Sequence, residues 1–85
     1  MPRSSFSEAY RQSIAILIEA RKATRTTQVD LATRLNKPQS FVAKYEGFER
    51  RLDVIEFLAV GDALGISRTV LLTRLAECIP ERLEI

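Results

Sequence analysis

Gln39, Ser40, Ala43 and Lys44 are of types and at spacings that make a hydrogen-bonding surface. With residues placed about 100° apart around a helix axis, the segment QSFVAKYEGF puts these four on one side and Phe41, Val42 and Tyr45 on the other. The first side carries small and hydrogen-bonding groups and no large apolar one, so it can approach a polar surface closely. Its chemistry is recognition rather than catalysis. An enzyme is not expected: the chain has no histidine to act as a base near neutrality, no glycine-rich phosphate loop, and no nucleophile beside an evident base. With no histidine and one cysteine, Cys78, there is no ligand set for a structural zinc, and no metal or cofactor is expected. Cys78 cannot form an internal disulfide; it suits a reducing compartment and reads as a small buried hydrophobe.

The elements that must position these residues are helices. A chain of 85 residues supports one hydrophobic core and hence one domain, expected over residues 1–85. Apolar residues make up 46% and charged residues 28%, the balance of a folding chain. Three glycines and three prolines are too few for the turns of an all-β chain, whereas Leu, Ala, Arg and Glu recur throughout, so the fold class is all-α. No apolar run approaches the roughly 20 residues that span a bilayer, and MPRSSFSEAY lacks the apolar stretch of a signal peptide, so a cytoplasmic location is expected. Charge is uneven. Residues 1–51 carry ten basic and five acidic side chains, residues 52–85 three basic and six acidic, so a net charge of +2 conceals a basic N-terminal half. Such a half is the footprint of a polyanion binder, although on charge alone an arginine-rich soluble face is an equal reading.

Five helical segments are predicted. In the first, Ser5 and Glu8 have capping-box spacing, Phe6, Tyr10, Ile14, Leu17, Ile18 and Arg21 share a face, and the helix ends near Ala23. The second starts at Thr27 as N-cap with Asp30 closing the box, and buries Leu31, Ala32 and Leu35. Asn36, which tolerates the left-handed conformation, and Pro38 make a tight turn into the third, which is helix-turn-helix spacing. Asp53 caps the fourth with Glu56, turning Val54, Phe57, Val60, Gly61 and Leu64 inward until Gly65 stops it. Ser67 caps the fifth, whose Val70, Leu71, Leu72, Leu75 and Ile79 wrap more of the helix than one neighbour can bury before Pro80 ends it.

Residues 17–67, LIEARKATRTTQVDLATRLNKPQSFVAKYEGFERRLDVIEFLAVGDALGIS, resemble the lambda-repressor-like, Cro-type (XRE) helix-turn-helix domain. That pattern runs Leu-x3-Arg, Thr-Gln-x2-Leu-Ala, Ser-x-x-Ser-x-Glu-x-Gly and then Leu-Gly. Leu17, Arg21, Thr27, Gln28, Leu31, Ala32, Leu35, Glu46, Arg50, Leu64 and Gly65 match it at compatible spacings. The resemblance implies a compact five-helix domain that lays its third helix in the major groove of double-stranded DNA. Gln39, Ser40, Ala43 and Lys44 would then contact bases, and their chemistry fits. A Gln amide donates to and accepts from adenine at once, Lys donates to guanine acceptors, Ser bonds several bases, and an Ala methyl meets thymine. Thr27 and Gln28 would bind backbone phosphate at the positive end of the second helix, with Arg50 and Arg51 clamping the next phosphates. Arg21 and Glu46 would form a largely buried structural ion pair. Phe41, Tyr45 and Phe57 read as core rather than as a base-stacking platform.

Two departures bear on this likeness. Members usually place Gly two positions after the third-helix Glu, whereas this chain reads Glu46, Gly47, Phe48. Either Phe48 takes a positive φ or Gly47 ends the helix sooner. Pro38 also stands where a Ser N-cap is common, leaving the third helix without a hydroxyl cap. The function expected is a sequence-specific transcriptional regulator acting as a homodimer, with Leu71, Leu72, Leu75 and Ile79 of the C-terminal helix (67–79) as the dimerisation element. Leu83 and Ile85 folding back over that helix would instead give a monomer. Alternatives are the antitoxin of a toxin–antitoxin pair, or a protein-interaction module of the same fold that does not bind DNA.

Overall fold

The computed structural model describes residues 6–83, and among them the secondary structure is entirely helical. The helices are α1 (Glu8–Ala23), α2 (Gln28–Leu35), α3 (Gln39–Glu46), α4 (Val54–Ala63) and α5 (Arg68–Cys78). Four start on a side chain that accepts a backbone N–H: Ser7 from Tyr10, Thr27 from Asp30, Asp53 from Glu56 and Ser67 from Val70. Asp30 and Glu56 return the bond and complete capping boxes. The cap of α1 is therefore Ser7 and not Ser5, which lies outside the described residues; Phe6 precedes the helix and stacks on Tyr10 at 5.3 Å. α3 begins at Pro38 with no side-chain cap, as its sequence implies.

The ends of α1 to α4 share one device. In each, a left-handed residue (Arg25, Asn36, Phe48 or Gly65) lets two consecutive N–H groups fold back onto the last turn. For α3 these are Phe48 N–H to the Tyr45 carbonyl at 3.2 Å and Glu49 N–H to the Lys44 carbonyl at 2.8 Å. Phe48, at φ 61°, therefore takes the positive φ while Gly47 stays at −88°, and the third helix keeps its register despite the early glycine. The bulky ring holds this conformation because it packs at 5.7 Å from Phe6 and 6.5 Å from Tyr10, with the Arg11 guanidinium 4.6 Å from its centroid.

α1 packs on α3 and α5, α2 on α3 and α4, and α4 on α5. Tyr45, Ile14, Leu17, Leu31, Leu71, Val42 and Val60 are fully buried where these faces meet. At Gly61 a Cβ would sit 2.5 Å from Leu71 Cδ2, so glycine is what lets α4 and α5 approach this closely. Two inward assignments on α4 and α5 change. Val54 is 73% exposed, because the first residue of α4 points out beside its cap, whereas Phe57, Val60, Gly61 and Leu64 are buried as expected. Leu71 is 0% exposed and is spent on the core, so it leaves the dimerisation set. α5 ends at Cys78, with Ile79 extended before Pro80 and Cys78 half-buried.

Candidate nucleic-acid interface

The short turn through Asn36 and Pro38 holds α2 and α3 together as a helix-turn-helix pair, and α3 divides as its angular arrangement requires. Val42 and Tyr45 are buried and Phe41 is half-buried, edge-on to Tyr45 at 5.8 Å. Burial pushes the Tyr45 phenol well above its ordinary pKa. Gln39, Ser40 and Lys44 are exposed, and Ala43 between them is half-buried. The four candidate base-reading residues thus form one continuous polar face.

A line of hydrogen bonds runs behind that face into the interior. Gln39 Nε2 donates to Gln28 Oε1 at 2.7 Å, and Gln28 Nε2 donates to Glu46 Oε1 at 2.9 Å. Glu46 also accepts both Arg21 Nε, at 2.7 Å, and the Arg21 terminal NH2 group, at 3.0 Å, in a two-pronged pair. The two side chains retain only 12% and 9% of their exposure, so the ion pair is largely buried, as the resemblance implied. Arg21 also donates to the Thr26 carbonyl at 3.0 Å, and its bond to Glu46 holds its own pKa above the usual value. Sequence reasoning singled out Gln28 and Gln39 separately; no spacing rule couples polar residues eleven apart on two different helices.

The remaining candidates divide. Thr27 is exposed at the start of α2, with its hydroxyl oxygen engaged in the cap. Arg50 is half-buried and engaged within the protein. Its guanidinium grips Glu56 with two bonds of 3.0 and 2.8 Å, donates to the Arg51 carbonyl and lies 4.7 Å from the Phe41 ring centroid. Those bonds to Arg50, with the Asp53 backbone N–H, pull the Glu56 carboxyl down to about 2. Arg50 is therefore a pin between the α3–α4 loop and α4, with 40% of its side chain still exposed. The Arg51 guanidinium lies over Phe6 and Tyr10, at 4.8 and 5.0 Å, and Tyr10 Oη accepts the Leu52 N–H at 2.8 Å. This aromatic and arginine cluster, which fixes the loop against α1, was not anticipated, because nothing in the sequence pairs position 10 with position 52.

On α5, Leu72 is 49% and Val70 44% exposed, while Leu75 and the following Ile79 are half-buried. Leu72 and Leu75 line an almost wholly apolar groove of about 190 Å³ with Leu58 and Val54 of α4. Among the described residues no group of three or more His, Cys, Asp or Glu side chains could hold a metal ion, and no helix is long and apolar enough to cross a membrane.

No family model and no curated protein matches the chain. Among solved structures it is similar to an XRE-family like protein from Pseudomonas syringae pv. tomato str. DC3000. The two share 46% identity over 85% of this chain and 88% of that one, with a TM-score of 0.78.

Proposed function

We propose that this chain, which belongs to the XRE family of helix-turn-helix regulators, is a sequence-specific transcriptional regulator that lays α3 along the major groove of duplex DNA. The observation that carries the reading is the composition of the exposed face of α3. Gln39, Ser40, Ala43 and Lys44 offer donors, acceptors and one methyl, with every large apolar side chain of the helix turned away. These are the groups that discriminate base edges. Thr27 and Gln28, at the positive end of α2, and Arg51, in the loop after α3, contact phosphate and fix the docking register. The basic excess of residues 1–51 supplies the sequence-independent part of the affinity. The protein acts as a regulator and not as an enzyme.

A single module of this size reads few base pairs, and we read the protein as a two-fold homodimer through α5 and the turn before it. Support comes from the exposed Val70 and Leu72 and from the groove that Leu72 and Leu75 share with Val54 and Leu58. Such pairing would set two recognition helices about 34 Å apart, one turn of B-DNA.

A salt titration of duplex binding tests the proposal. Neutralising about six to ten phosphates per dimer should cost roughly a thousandfold or more in affinity between about 50 and 200 mM salt. A flat response, or no measurable binding at the low-salt end, would remove DNA as the ligand and leave a protein-interaction module.

A further inference from the structure

We propose that Arg25 is a further phosphate contact, whose guanidinium binds the DNA backbone beside the phosphates reached by Thr27 and Gln28. This rests on the DNA-binding reading above. Arg25 follows α1 at φ 55°, and its N–H and that of Thr26 fold back to the Lys22 and Arg21 carbonyls at 3.0 and 3.1 Å. A left-handed backbone crowds any Cβ, and glycine would take this place without strain. The other left-handed residues are accounted for. Asn36 and Gly65 are of the types that tolerate the conformation, and Phe48 is compensated by its packing on Phe6 and Tyr10. Arg25 has neither excuse, since its side chain is exposed and makes no hydrogen bond, ion pair or ring contact among the described residues. Nothing inside the fold offsets the strain, so the gain that does lies outside the chain.

Its neighbours are braced and its own donors are not spent. Thr24 Oγ1 donates to the Ala20 carbonyl at 3.1 Å and lies 2.8 Å from Thr26 Oγ1, while Thr26 is 4% exposed and its carbonyl accepts from Arg21 at 3.0 Å. The turn is thus held on both sides of Arg25, two residues before Thr27. Elsewhere in the basic half, Arg11 and Arg51 lie over rings, Arg21 and Arg50 grip carboxylates, and Arg34 donates to the Ala63 carbonyl. Among the described arginines of that half, Arg25 alone keeps its guanidinium out of such contacts. A planar fork of charged donors on a fixed turn is the group that takes a phosphate in two bonds.

The test compares the intact protein with Arg25→Gly, which removes charge and strain together, Arg25→Lys, which keeps both, and Arg82→Gln, which removes one positive charge from the exposed C-terminal segment. Melting curves and salt titrations on a selected and a random duplex are recorded for each. Arg25→Gly should melt higher than wild type and yet bind both duplexes about two- to fivefold more weakly per protomer, the worth of an exposed ion pair. Its log–log dependence on salt should be shallower by about 0.9 per protomer, one phosphate fewer. Arg25→Lys should keep the wild-type slope, and Arg82→Gln should leave slope and affinity unchanged. Wild-type binding by Arg25→Gly, an equal loss in Arg82→Gln, or an Arg25→Lys as weak as Arg25→Gly would each overturn the proposal, as would a loss confined to the selected duplex, which marks a base contact. So would a lower melting temperature for Arg25→Gly, since Arg25 would then serve the fold. A wild-type protein that binds no duplex even at low salt is a different failure: it removes the DNA-binding reading itself, and this contact with it.

Discussion

Arg21 and Arg50 show what a charged residue's position in the sequence reveals and what it conceals. Both fall at motif positions, and both hold a carboxylate with two bonds, Arg21 to Glu46 and Arg50 to Glu56. The first pair was legible by resemblance. The second was not, because Glu56 was already accounted for as the return half of a capping box, and one carboxylate serves both purposes here. Burial separates their consequences. Arg21→Ala would leave Glu46 nearly buried with its Gln28 bond as the remaining side-chain partner, a loss of about 3–5 kcal/mol. Thermal melting of the variant should show it; a curve superimposing on wild type would mean that the charge is compensated by water. Arg50 and Glu56 keep 40% and 26% of their side-chain exposure, where such pairs contribute about 1 kcal/mol or less.

Helix starts were largely readable, since Thr27, Asp53 and Ser67 cap as their types and spacings require, and the chief error was two residues at Ser7. Helix ends were less so. Asn36 and Gly65 announce a left-handed residue; Arg25 does not, and Phe48 left two geometries open that only its ring contacts decide. These two residues allow a contrasting test. Arg25 is exposed, so Arg25→Gly should relieve left-handed strain of about 1–2 kcal/mol against a chain-entropy cost of about 0.5–1 kcal/mol, and raise the melting temperature. Phe48→Gly gains the same relief but removes the ring packed on Phe6, Tyr10 and Arg11, and should lower stability by about 1 kcal/mol. Both variants shifting in the same direction would contradict this account of how α3 is terminated.

At the scale of the whole molecule, the sequence showed that α5 is too apolar for a solvent-facing helix, but not how its residues divide. Leu71 proves to be core because Gly61 lets α4 come close, while Leu72 remains at the surface. Leu83 does not shield it, being 54% exposed itself, and Ile85 lies outside the described residues. An uncovered apolar face beside an apolar groove is what a second copy would close. Sedimentation equilibrium over a hundredfold concentration range should therefore show a monomer–dimer equilibrium that Leu72→Glu shifts to monomer, with weaker operator binding. A monomeric mass at every concentration, with Leu72→Glu without effect on DNA binding, would remove α5 as the interface.

The central claim is that the exposed face of α3 reads bases, and the affinities of wild type, Gln39→Ala and Lys44→Ala on a duplex selected from a random library and on unselected duplex test it most directly. Each variant should lose about 1–3 kcal/mol on the selected site and markedly less on the unselected one, because base contacts specify and phosphate contacts position. Equal losses on the two duplexes would place both residues on the phosphate backbone and contradict the account.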